Sequence, residues 1–101
     1  MFCSTTLLGQ HDKAIDSLST LVRTTNDPAE KIKILRSLTS VADLAGHEGF
    51  NGFYSQLVDL SRKTNDNYNL AIAQEIYAIH LFHQNKLSEA ATYYQKNRAW
   101  R

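Results

Sequence analysis

A ten-residue pattern occurs twice in this chain. Leu18-x2-Leu21-x-Arg23-x-Thr25-Asn26-Asp27 returns as Leu57-x2-Leu60-x-Arg62-x-Thr64-Asn65-Asp66, a step of 39 residues. Each copy reads as a junction. Asn26-Asp27-Pro28 stops one helix, with Asp27 capping the next, and Thr64-Asn65-Asp66-Asn67 ends another. A junction repeated at this step implies a two-helix unit used more than once, whose copies must stack to bury their apolar faces. Ala14, Phe53 and Ala90 fall in equivalent slots, at steps of 39 and 37.

The remaining sequence fills in helices around the junctions. Glycine and proline are scarce, at four and one, which favours helices over strands. Met1 to Leu8 reads as the tail of a helix begun upstream, with Gly9-Gln10-His11 as a break. A second helix is predicted from Asp12 or Lys13 to about Thr25, with Ala14, Ile15, Leu18, Leu21 and Val22 on one stripe. Asp27 caps a third, from Pro28 to Ala45, carrying Ile32, Leu35, Leu38, Val41, Ala42 and Ala45, and Gly46 suits its C-terminal end. A fourth spans about Phe50 to Lys63. The chain closes with a hairpin over Leu70 to Lys96, broken at His83-Gln84-Asn85-Lys86. The fold class is therefore all-α, built of antiparallel helical hairpins.

The closing hairpin resembles the tetratricopeptide repeat, whose pattern of about 34 residues is W-x2-L-G-x2-Y followed by A-x3-F. Ala90-x3-Tyr94 matches the second-helix pair, Ala78 stands at the glycine position and Leu81 at the tyrosine position. Gln74 replaces the tryptophan and Tyr77 the leucine. The step of 37 to 39 exceeds that of the family and leaves helical arrays with periods near 40 as the alternative. The resemblance implies a short right-handed solenoid in which the first helices, Pro28–Ala45 and Tyr68–Phe82, line a concave groove. In that register Leu38, Ala42, Glu75 and Ile79 face the groove. The Lys/Asn/Arg clamp some members use for a terminal carboxylate is not recognisable, so an amphipathic helix or apolar segment is the expected ligand. Independently of the resemblance, Tyr68 and Trp100 sit at helix ends and are candidate contact residues.

The expected function is a protein–protein interaction module that binds a peptide or neighbouring domain. Similar degenerate arrays occur in bacterial transcription regulators, sensor kinases and GGDEF-type cyclases, so a sensory segment of a signalling protein is the alternative. The expected domain covers residues 1–101, as part of a longer protein. Open solenoid ends would expose apolar surface, which makes homo-oligomerisation a third expectation.

Charge and motif content narrow the classes further. Eleven Lys and Arg against ten Asp and Glu give a net charge of +1, so there is no basic field for direct nucleic-acid binding. No apolar run approaches the length of a membrane span. The lone Cys3 makes no internal disulfide, and a reducing, cytoplasmic location is expected. No nucleophile elbow, phosphate loop or HExxH motif is present, so neither catalysis nor a cofactor is expected. His80 and His83 are spaced for a shared metal, but two ligands fall short of a zinc site and no third is evident in sequence. The Lys31, Lys33 and Arg36 cluster reads as a solvated helix face, with reception of an acidic peptide or phosphate as the alternative.

Overall fold

In the computed structural model, residues 2–100 are described, with side chains described over 11–92 and at 95. Among them are five helices and no strand: α1 (Phe2–Thr24), α2 (Pro28–Ala45), α3 (Phe50–Lys63), α4 (Asn67–His83) and α5 (Leu87–Trp100). Consecutive helices pack against each other, and α2 also touches α4. The chain measures 43 × 37 × 17 Å. Its least dimension leaves room for about two layers of helices at 8–10 Å spacing.

The repeated junction folds as its sequence suggests. At both copies the helix ends where the pattern places it, at Thr24 and at Lys63. The Asp27 carboxylate accepts from Glu30 N–H at 3.2 Å and Asp66 accepts from Asn69 N–H at 3.0 Å. Each thereby satisfies an orphan donor in the first turn of the next helix.

Three helix ends share one turn geometry. The backbone is left-handed at Gly46 (φ 63°), Asn65 (φ 55°) and Asn85 (φ 63°). Each end closes with the same pair of bonds, His47 N–H to Ala42 O, Asp66 N–H to Ser61 O and Lys86 N–H to Leu81 O being the longer-range ones. This is the Schellman arrangement, which glycine enters most cheaply and asparagine next. Such compact reversals are what hold successive helices in contact.

The expected break at Gly9-Gln10-His11 is not formed, and α1 runs continuously through it. A lone glycine costs a helix only about 1 kcal/mol relative to alanine, and no proline stands nearby to stop it. No described helix is long and apolar enough to cross a membrane.

The core gathers Ile15 and Val22 of α1, Ile32, Leu35 and Leu38 of α2, Leu57 and Val58 of α3, and Leu70 and Ala73 of α4. Repeat-equivalent positions need not carry equivalent chemistry. Val22 and Ser61 share a slot one step of 39 apart and both are buried. The Ser61 hydroxyl has no hydrogen-bond partner among the described residues, whereas buried Thr39 donates to Leu35 O at 2.6 Å.

Candidate functional site

Helices α2 and α4 lie side by side and run the same way. Near their starts, Arg36 Nη1 donates to Asn69 Oδ1 at 3.2 Å. Near their ends, Asp43 meets His80 and His83. Contacts that advance along both helices together require a parallel pair. The two capping loops agree, since Asp27, Pro28, Asp66 and Asn67 line one depression.

Between these two pins lies an open groove of about 860 Å³. Lys33, Arg36, Ser37, Ser40 and Val41 come from α2; Tyr68, Ile72, Glu75, Ile76 and Ile79 come from α4. The floor is apolar and solvent-facing: Tyr68 is 71% exposed and Ile79 37%. At about 100° of rotation per residue, Ile72, Ile76 and Ile79 form a stripe on α4 opposite its buried side, Leu70, Ala78 and Leu81. α4 thus has two apolar faces, one buried and one partly open to solvent.

Of the residues expected to face the groove, Glu75, Ile79 and Tyr68 line it. Leu38 and Ala42 do not: they are 1% and 0% exposed and belong to the interior. The reason is helical phase. Leu38 and Ala42 share the side of Leu35, which packs inward, while Lys33, Ser37 and Ser40 occupy the opposite side. Trp100 lies in the last turn of α5, and its side chain is outside the described residues. The Lys31, Lys33 and Arg36 cluster is divided. Lys31 lines a separate depression with Gln56 and Asp59 of α3, and only Lys33 and Arg36 reach the groove.

At the far end of the same helix pair, sequence reasoning missed a constellation. Asp43 Oδ1 lies 2.8 Å from His80 Nδ1, and Oδ2 lies 3.0 Å from His83 Nδ1. A carboxylate only accepts, so both rings carry a hydrogen on Nδ1. The Asp43 side chain is 5% exposed, His80 14% and His83 46%. The His80 ring also stacks on Phe50 of α3, with centroids 3.7 Å apart and planes 12° apart. Tyr54 and Tyr77 stack beside them at 4.7 Å. The repeat step itself carries the signal for this contact, because a residue 39 beyond Asp43 falls between His80 and His83. No group of described residues is arranged to hold a metal ion.

Asp43 sits in the last turn of α2, where the helix dipole disfavours an anion by about 0.3–1 kcal/mol. Two hydrogen bonds from imidazole to a carboxylate outweigh that, since bonds to charged groups contribute about 1.5–3 kcal/mol. His83 is nearly half exposed, so its bond counts for little, and the His80 bond less the dipole effect leaves an expected loss of about 1–2 kcal/mol for Asp43→Ala. Urea titration measures this; an unchanged midpoint would show that the two contacts contribute nothing to holding α2 against α4.

No family model matches the sequence, and neither a curated protein sequence nor a solved structure matches the chain. The resemblance to tetratricopeptide repeats therefore rests on the residues that carry it.

Proposed function

We propose that this chain is a non-catalytic protein-interaction module of stacked helical hairpins, tetratricopeptide-like in plan, that binds a protein segment in the α2–α4 groove. The observation that carries this reading is the second apolar stripe of α4. Ile72 and Ile79 lie opposite the buried Leu70, Ala78 and Leu81, and with Ile76, which packs partly against the core, they form a continuous face rimmed by Lys33, Ser37, Ser40 and Glu75. An exposed apolar patch with a polar rim marks an interaction surface more often than a bare fold requirement. The alternation α1 to α5, with α2 beside α4 and α3 packed against both, supports the hairpin-array plan. One observation supports the non-catalytic part: besides Asp43, His80 and His83 themselves, the side chains lining their depression are those of Leu44, Ala45 and Gln84, none of which is a nucleophile.

The test uses Ile72→Asp together with Ile79→Asp. Ile76 is left alone because it also packs against the core. Helical peptides selected from a displayed library on the native chain should lose binding to the double variant at least roughly a hundredfold, as expected when two apolar anchors are replaced by buried charges. Helicity should stay unchanged by circular dichroism. Undiminished binding would place the interaction surface elsewhere.

A further inference from the structure

We infer, on the docking reading above, that the occupant of the groove is an amphipathic helix of about two to three turns. It lies antiparallel to α2 and α4, and side-chain carboxylates in its last turn are received by Lys33 and Arg36.

The backbone chemistry of the groove selects a helix. Both walls are helices, whose backbone N–H and C=O groups are bonded internally along their length, and the only uncharged polar side chains on the walls, Tyr68 aside, are Ser37 and Ser40. An extended segment laid there would leave its own backbone groups without partners over an apolar floor. A helix brings its backbone already satisfied and offers only a side-chain stripe. The length follows from the walls. Lys33 to Val41 spans roughly 12 Å and Tyr68 to Ile79 roughly 16 Å at about 1.5 Å per residue, which matches about two to three helical turns.

Charge fixes the direction. The N-terminal ends of α2 and α4 lie together, so their aligned dipoles add positive character at that end of the groove. Lys33 lies in the second turn of α2, and Arg36 is drawn toward the same end by its bond to Asn69 in the first turn of α4. A ligand helix laid antiparallel brings its negative end there. Arg36 is set in place for this role: Asp66 accepts from the Asn69 amide at 2.7 Å, and Asn69 Oδ1 accepts from Arg36 Nη1. One N–H of the guanidinium is spent on that anchor and the remainder of its fork is left to meet a carboxylate. Lys33 pairs with Glu30 at 3.5 Å, but both side chains are more than half exposed. Such a pair contributes little and is readily exchanged for a ligand carboxylate.

The same charges argue against a second copy of this chain as the occupant. An antiparallel copy would bring its Asp43 end to Lys33 and Arg36. The Asp43 side chain is only 5% exposed and is held by His80 and His83, so it is not available to those cations.

The probe is a displayed library of helical peptides of about 12 residues, randomised throughout and panned on the full chain. Groove binders are those lost on the Ile72→Asp, Ile79→Asp chain. Among them Asp and Glu should be enriched roughly tenfold in the last turn over the first. On a chain carrying Lys33→Glu and Arg36→Glu the enrichment should switch to Lys and Arg. Groove binders with acids in the first turn, or with no charge bias, would overturn the inference and leave the docking reading standing. An absence of groove-dependent binders would overturn both. A dimeric mass in solution that Ile72→Asp and Ile79→Asp abolish would assign the groove to a second copy instead.

Discussion

Leu38→Ala lowers the stability of the fold by about 2–5 kcal/mol, the cost of emptying a fully enclosed leucine site. Leu38 is 1% exposed and sits among Leu35, Leu57 and other residues of the central cluster. A domain of this size has about 5–15 kcal/mol in total, so the substitution removes a large share. Urea unfolding should show a lower midpoint with an unchanged slope. Ile79→Asp, 37% exposed on the groove, should change the stability by no more than about 0.5 kcal/mol. The contrast separates core from groove on the same pair of helices. A Leu38→Ala loss under about 1 kcal/mol would place Leu38 on the surface and return it to the groove.

Phe50→Ala should cost about 3–5 kcal/mol. Phe50 is 2% exposed and carries the stack that joins α3 to α4, with His80 at 3.7 Å and Tyr54 and Tyr77 at 6.1 Å. Its ring also backs the imidazole that donates to Asp43. Removing Phe50 frees His80 to turn away, so the effects of Phe50→Ala and Asp43→Ala should fail to add by about 0.5–3 kcal/mol. Phe50→Leu keeps much of the apolar area while losing the stack, and should recover most but not all of the stability. Strict additivity of the two alanine substitutions would mean that the aromatic stack and the Asp43 cluster are independent features.

The helices were legible in the sequence because their ends are written in short-range chemistry. Asp27, Pro28 and Gly46 act within a few residues of themselves, and the repeated junction shows the same signal twice. Asn65 and Asn85 belong to this class too, since asparagine follows glycine in its tolerance of the left-handed turn. Helical phase was harder to read. On α2 the outward side is polar, at Lys33, Ser37 and Ser40, whereas the register implied by the repeat resemblance sets Leu38 and Ala42 there. On α4 both sides are apolar, and composition alone does not say which is covered. Tertiary packing makes that choice. The Asp43 cluster was missed for a different reason, because its members lie 37 and 40 residues apart. Only the repeat step, applied as a contact rule rather than as a family signature, brings them together.

The proposed docking face is the outward side of α2 and α4. Methyl-labelled NMR of the full chain with a selected helical peptide should show shifts at the methyls of Ile72, Ile76, Ile79 and Val41, with Leu38 and Leu57 nearly still. Shifts centred instead on Leu44 and Leu87, which are exposed outside the groove, would contradict it.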